Sequence, residues 1–265
     1  MTHHNHCLNC GKHLTDKYCA GCGQKADTHR ITFKHFLLHD LLHGTFHIDK
    51  GILYTAKQSI TRPGQAALDY ISGKRIRFYN VFYLILITLG LMLFVRHIDD
   101  LFNGTEPIKV RANANEATRN LDKMFAEKSK FLILLFLPFA AINSFILFRK
   151  RKLNLSEHTI IAGMLLLGIA IIGVCSNVLF IINMGIGING TILSLMVTAV
   201  NFIYVGYGYY NAFGKDYSGW GISSRVAAFF VFICIEVLLL LMVLIGIATH
   251  WKFTEITISP FGYYN

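Results

Sequence analysis

Four cysteines near the start of the chain are the residues whose type and spacing most clearly predict chemistry. They form two Cys-x2-Cys pairs, Cys7 with Cys10 and Cys19 with Cys22. Two such pairs can place four thiolates around one tetrahedral metal ion, and the glycine after each pair suits the tight turn that this motif needs. We therefore expect a structural Zn2+ site, with iron in the same cage as its rival. Catalysis at this metal is not expected, because four thiolates leave no open coordination position.

The remainder of the chain has the composition of a membrane protein. Of its 265 residues, 54% are apolar, and the mean hydropathy of +0.47 exceeds that of an ordinary soluble domain. A membrane-spanning helix needs about 20 mostly apolar residues, or about 17 in a thin bilayer. Five apolar runs approach or exceed that length, so the predicted fold class is an all-α polytopic membrane protein with five transmembrane helices. The predicted spans are 81–95, 131–148, 159–182, 191–210 and 226–249.

The predicted organisation has three parts. A zinc ribbon occupies residues 1–28, an amphipathic juxtamembrane region follows over residues 29–78, and the transmembrane domain fills residues 79–265. Clusters of lysine and arginine mark the cytoplasmic loops of membrane proteins. They lie before the first span and in the loops 149–158 and 211–225, so these segments and the N-terminus are expected in the cytoplasm, with the loop 97–130 and the C-terminus outside.

Two further expectations follow from this orientation. No apolar segment precedes the cysteines in this sequence, so the thiols are expected to stay in the reducing cytoplasm and bind metal rather than form disulfides. The net charge of +10 is then assigned to contacts with anionic lipid headgroups, and nucleic acid is an unlikely partner because the lysines of the ribbon are scattered.

The juxtamembrane region is predicted to form three short helices. The first, over 31–48, is amphipathic and carries His35, His39, His43 and His47 on its polar half. These histidines are interpreted either as headgroup-facing residues of an interfacial helix or as a second metal or pH-sensing site, with haem binding as a further alternative. The other two helices are Lys50–Ser59 and Gln65–Ser72, with Gly73 as the C-terminal cap.

Polar residues within the predicted spans mark a candidate intramembrane site. Glu236 lies near the middle of the fifth span, and Asn177 and Asn201 lie in the third and fourth. A carboxyl group in a bilayer is costly, so Glu236 is expected to face the bundle interior, where it either belongs to a proton or cation path or makes a structural hydrogen bond to Asn177, Asn201 or Tyr204. Two further assignments concern side chains in the spans. Cys175 and Cys234 are expected to be buried, and an interfacial belt is expected of Tyr204, Tyr207, Tyr209 and Tyr210.

Several short motifs resemble an uncharacterised bacterial membrane family, domain of unknown function 3667. The resemblance covers residues 7–83. Its motifs are Cys7-Leu-Asn-Cys10-Gly, Tyr18-Cys-Ala-Gly-Cys-Gly-Gln24, Asp49-Lys50-Gly51-Ile-Leu-Tyr-Thr55, Arg62-Pro63-Gly64 and Tyr70-Ile-Ser-Gly73-Lys74-Arg75. The resemblance implies a zinc-ribbon protein of the bacterial cytoplasmic (inner) membrane and supplies no activity. At the level of topology alone, the chain is also similar to five-span Yip-type membrane proteins.

The sequence favours a non-catalytic role. It contains no P-loop, no His-Glu-x-x-His and no Gly-x-Ser-x-Gly motif. The leading interpretation is a membrane scaffold or adaptor whose ribbon docks a cytoplasmic protein partner. One alternative is a transporter, channel or lipid-handling protein that uses Glu236. The other is a membrane metal or redox sensor that uses the histidine stripe, which consists of His35, His39, His43 and His47.

Overall fold

A computed structural model of the chain describes residues 5–26, 31, 51–103, 134–187, 189–248 and 251. These residues form an all-helical structure, in which only two isolated bridges have β geometry. The predicted helix 31–48 and its histidines His35, His39, His43 and His47 lie outside the described residues. In chain order the helices are α1 Gly51–Thr61, α2 Pro63–Ile71, α3 Val81–Asn103, α4 Leu134–Leu147, α5 Leu155–Ile186, α6 Gly190–Phe213 and α7 Gly219–Ala248.

Four of these helices are long and apolar enough to cross a membrane. Within the described residues they provide the candidate spans Val81–Asp99, Leu155–Asn183, Gly190–Phe213 and Gly219–Ile247. The segment predicted as the second span, 131–148, is described as the shorter apolar helix α4. The described residues therefore do not confirm the count of five spans.

The long helices alternate in direction except for one pair. The start of α3 packs near Gly163 of α5, and Met92 packs near Gly173, so α3 and α5 run parallel. Tyr204 and Gly208 of α6 meet Gly168 and Leu165 in reverse order, which makes α5 and α6 antiparallel. Ser144 near the end of α4 lies 2.7 Å from His158 near the start of α5, and Arg225 near the start of α7 donates to the Leu147 carbonyl at 3.2 Å. The starts of α3, α5 and α7 and the ends of α4 and α6 therefore lie at one end of the bundle, which we call the ribbon end.

Polar caps, rather than the apolar runs, set the limits of α5 and α6. At the start of α5, the Asn154 side chain accepts from the Glu157 N–H at 2.9 Å, and the Glu157 carboxylate accepts from the Asn154 N–H at 2.7 Å. Such a capping box stabilises a helix by about 1 kcal/mol. Gly187 ends α5 with φ +78°, and Asn189 caps α6. Both helices therefore extend beyond the apolar runs from which their limits were predicted.

The core is concentrated at the ribbon end. The Phe148 ring stacks on Phe213, with ring centroids 4.5 Å apart, and on Tyr209 at 5.3 Å. The Tyr217 ring links the loop after α4 to the start of α7 beside this stack, because its centroid lies 4.6 Å from the Lys150 ammonium and 4.2 Å from the Arg225 guanidinium. Cation–π contacts of this kind stabilise by about 0.5–2 kcal/mol each.

Two assignments for side chains in the predicted spans are wrong. Tyr204 and Tyr209 are 8% and 0% exposed, so they belong to the packed bundle rather than to an interfacial belt, whereas Tyr207 and Tyr210 are exposed. Cys175 and Cys234 are exposed on the helix surface instead of buried. Hydropathy does not distinguish the packed face of a uniformly apolar helix from its lipid-facing side, and that face depends on the neighbouring helices.

Candidate functional site: a four-cysteine module docked on a helical hairpin

The module that carries the cysteines is built from one backbone pattern used twice. In the first copy, the N–H of Cys7 donates to the carbonyl of Lys12, and Gly11 donates back to Cys7, both at 2.8 Å. Twelve residues later, Cys19, Gln24 and Gly23 repeat these two bonds at the same distances. Gly11 and Gly23 have φ of +75° and +76°, which explains the glycine after each cysteine pair.

The two copies bring all four sulfur atoms together. The Sγ atoms of Cys7, Cys10, Cys19 and Cys22 all lie within 4.8 Å of one another. The Cys7–Cys22 and Cys10–Cys19 pairs are separated by 3.6 and 3.5 Å. A tetrahedral site with metal–sulfur bonds of about 2.3 Å requires sulfur separations of about 3.8 Å. The predicted ligands can therefore hold one metal ion with little movement, and the geometry does not distinguish zinc from iron.

Hydrogen bonds to the sulfurs favour the thiolate form at two positions. The Asn9 side chain, followed by the backbone of Gln24, lowers the pKa of Cys22 to about 6. The backbone N–H of Gly21, 3.4 Å from Cys19 Sγ, lowers the pKa of that thiol. For Cys10 the Lys12 backbone acts in the same direction, but the Cys19 thiol and desolvation outweigh it and raise the pKa to about 11. A bound cation favours all four thiolates, so metal binding releases protons.

Gln24 attaches the cysteine module to the helical domain. Its side chain is 4% exposed, and its Nε2 donates to the Gly73 carbonyl at 2.7 Å. Its Oε1 accepts from the N–H groups of Arg75 at 3.1 Å and of Ile76 at 3.3 Å. One amide thus satisfies three backbone groups in the loop that joins α2 to α3. Lys12 has the equivalent place in the first copy and is exposed.

The loop bound by Gln24 follows a helical hairpin made of α1 and α2. The Phe78 ring contacts Tyr54 of α1 at 5.3 Å and Tyr70 of α2 at 5.9 Å, so it packs against both helices of the hairpin. Thr55 is buried and accepts from the N–H of Tyr79 at 2.8 Å. Gly73 has φ +99° just after α2, which confirms its predicted role at the end of that helix.

Polar side chains of α6 hold the tip of the hairpin. Tyr204 donates to the Ser59 carbonyl at 2.6 Å, and Tyr207 donates to the Thr61 carbonyl at 2.8 Å. Asn211 accepts from the N–H of Gln65 at 2.8 Å, and its carbonyl accepts from the Gln65 side chain at 2.6 Å. These bonds satisfy helix-end groups that have no partner within α1 or α2. In an apolar environment such groups cost several kcal/mol when they have no partner.

The second candidate site contains Glu236, as predicted, but the hydrogen-bond partner of Glu236 differs from the predicted ones. Glu236 Oε2 accepts a hydrogen bond from Asn143 Nδ2 at 2.9 Å, which joins α7 to α4. The side-chain N–H2 of Asn201 instead donates to the Val197 carbonyl of its own helix, and Tyr204 donates to the hairpin. The structure does not pair Glu236 with Asn177, Asn201 or Tyr204 as the sequence suggested. Asn143 lies in the segment 131–148 that was predicted as the second span.

Cysteine spacing identified the metal cage, but sequence reasoning gave Gln24 no role. A signal was present: when the two copies are aligned on their cysteines, Gln24 stands where the first copy has Lys12. Tyr204, Tyr207 and Asn211 were also missed as hairpin contacts. Their spacing places them on one face of α6, but that pattern does not reveal what the face touches.

The fold and the site define a helical protein with membrane-type helices and a four-cysteine cluster suited to metal. Residues 49–93 match the model of a family described as "Protein of unknown function (DUF3667)". The match confirms the family resemblance over residues 49–83 and extends it along α3 to residue 93. The cysteine module lies outside the matched range, so its resemblance to that family, like the Yip-type topology, remains a prediction. Neither the curated proteins nor the solved structures contain a significant match to this chain.

Proposed function

We propose that this protein is a non-catalytic membrane scaffold or adaptor that displays a zinc-binding ribbon to a cytoplasmic protein partner. The observation that carries the proposal is the asymmetry of the module. Its second cysteine pair is engaged with the protein's own loop through the buried Gln24, while Lys12 and His13 beside the first pair are exposed. An adaptor needs such a division between an anchored face and a presented face.

Zinc is proposed as the metal because the donor set is four thiolates in a closed cage. Zn2+ prefers tetrahedral sulfur coordination and supports a structural role without redox chemistry. Iron in the same cage is the competing assignment. Elemental analysis of the purified protein with reduced cysteines distinguishes the two.

Five membrane crossings are proposed, with the ribbon end in the cytoplasm. Because α3 and α5 run parallel and away from the ribbon end, the intervening chain has to return over the same distance. The end of α4 supports this return, since Ser144 Oγ lies 2.7 Å from Nδ1 of His158 near the start of α5. The basic residues Arg149–Lys152 at this end favour the cytoplasmic face of the bacterial inner membrane.

Site-specific photocrosslinking in native membranes tests the adaptor role. A photoreactive residue at Thr15, exposed on the ribbon, is expected to capture a cytoplasmic protein. The same residue at Leu238, exposed on α7, serves as the lipid-facing control. The product should disappear when Cys7 and Cys10 are replaced by serine. Absence of any protein adduct at Thr15, Lys12 and His13 contradicts the proposal.

A transporter, channel or lipid-handling role is the second candidate. The bond between Glu236 and Asn143 supports it by placing a carboxyl group between two apolar helices. An open apolar groove of about 520 Å³ between α6 and α7, lined in part by Ile203, Tyr207 and Phe230, adds a surface suited to acyl chains. The same polar pair also fits a structural bond between helices, so the scaffold remains the favoured function. The metal or redox sensor that uses the histidine stripe remains a prediction.

A further inference from the structure

The docking contact and the metal cage share a segment of backbone. Gln24 follows Cys22 by two residues, and its carbonyl accepts the N–H of Cys19 at 2.8 Å. That bond closes the turn which carries both cysteines of the second pair. The position of the Gln24 side chain therefore depends on the closure of the turn around the sulfurs.

The docking contact and the fold of the cysteine module each have a clear physical requirement. The Gln24 amide must present one donor and one acceptor at fixed positions to reach Gly73, Arg75 and Ile76 together. The module itself is too small to bury a substantial apolar core, and modules of this kind are often folded only while the metal is bound. In the described part of the module the buried side chains are Cys7, Cys19 and Gln24. Two of these three are ligands of the proposed metal.

We propose that metal binding by the four cysteines controls the docking of the ribbon on the helical domain. Gln24 is the latch, which here means the side chain whose hydrogen bonds hold the ribbon on the loop of residues 73–76. The proposal rests on the metal site of the proposed function. With metal bound, both turns are closed and Gln24 is held in its docking geometry. Without metal, the turns lose their common centre, the amide is no longer pre-organised, and the loop of Gly73–Ile76 is released from the ribbon. Metal availability thereby controls how accessible the loop of residues 73–76 is. This loop follows the hairpin, and both lie within the residues that match the family model.

Hydrogen–deuterium exchange of the full-length protein in lipid nanodiscs tests this coupling. The N–H group of Ile76 is the main reporter, because it donates to Gln24 Oε1 at 3.3 Å. The N–H group of Arg75 also donates to the Gly73 carbonyl at 3.0 Å, so its exchange should change less. Removal of zinc by a chelator is expected to speed the exchange of the Ile76 amide by about fivefold, the effect of losing one hydrogen bond of ordinary net strength. The amide of Ala66, whose bond to the Arg62 carbonyl lies within the hairpin, should be unaffected.

Variants separate the latch from the metal. Gln24→Ala is expected to produce the same acceleration in the zinc-loaded protein while zinc content stays at about one per chain. Lys12→Ala is the matched control, because Lys12 has the equivalent backbone position and is exposed. It should leave both zinc content and exchange unchanged. Gln24→Glu keeps the acceptor for Arg75 and Ile76 but loses the donor to Gly73, so an intermediate acceleration is expected.

The outcomes distinguish failure of the latch from failure of the metal site. If zinc is bound and its removal leaves the exchange of Arg75 and Ile76 unchanged, metal control of docking is refuted and the metal site stands. If Gln24→Ala binds zinc and exchanges like the wild type, Gln24 is not the latch. If the reduced protein binds no metal, both the proposed metal site and the latch are refuted.

Discussion

Replacing Gly64 with alanine tests the close contact between the hairpin and α6. A Cβ atom at Gly64 would overlap the backbone of Gly208 and Ala212, and it would lie 2.7 Å from Ala212 Cα. Carbon atoms in ordinary contact are separated by about 3.5–4.0 Å, so α2 has to retreat by about 1 Å. Backbone atoms have no rotamers by which to yield, and the retreat also stretches both bonds between Gln65 and Asn211.

The expected loss of stability follows from these terms. Overpacking costs about 1–3 kcal/mol, and two weakened hydrogen bonds cost about 1 kcal/mol each. The better helix propensity of alanine stabilises the folded protein by up to about 1 kcal/mol and offsets part of this loss. We therefore expect Gly64→Ala to lower the free energy of unfolding by about 2–4 kcal/mol.

The measurement is equilibrium unfolding in mixed micelles with increasing SDS, followed by far-UV circular dichroism. Gly90→Ala in α3 is the matched control, because a Cβ atom there meets no atom within 4 Å. It should be neutral or should stabilise the protein by up to about 1 kcal/mol. If Gly64→Ala behaves like Gly90→Ala, α2 does not pack on α6 as described, and the assignment of the hairpin contacts is refuted.

Four further predictions concern single contacts and the proposed topology. Tyr204→Phe removes the buried donor to the Ser59 carbonyl and should cost about 0.6–1.7 kcal/mol in the same unfolding assay; an unchanged value contradicts the role of this bond. Cys7→Ser should lower zinc content from about one ion per chain to nearly none by elemental analysis, and retention of stoichiometric zinc excludes Cys7 as an essential ligand. Glu236→Gln should preserve the fold, because the amide oxygen can still accept from Asn143; a proteoliposome flux that requires the carboxylate would promote the transport role. Reporter fusions at Lys152 and Tyr217 should report the cytoplasm and a fusion at Gly187 the outside, and a cytoplasmic signal at Gly187 is incompatible with the proposed orientation.

Local features of the sequence were sufficient to predict a substantial part of this structure. The spacing of Cys7, Cys10, Cys19 and Cys22 predicts their convergence because each pair is closed by a turn only a few residues long. Continuous apolar runs predict the long helices, since a helix satisfies its own backbone hydrogen bonds and needs only length and hydropathy to be recognised. Gly73 likewise marks the end of α2 through its backbone preference, whereas the helix was predicted to start at Gln65 and starts at Pro63.

Tertiary structure alone decided which of these parts meet. Gln24 and Gly73 are 49 residues apart in the chain, Asn143 and Glu236 are 93 apart, and Ser59 and Tyr204 are 145 apart. A glutamine, an asparagine or a tyrosine has the same local preferences whichever partner it finds. These partners are fixed by packing between distant segments, such as the close approach of α2 to α6 that Gly64 and Gly208 permit. The metal cage could therefore be predicted from local spacing, whereas its attachment to the helical hairpin required the assembled fold.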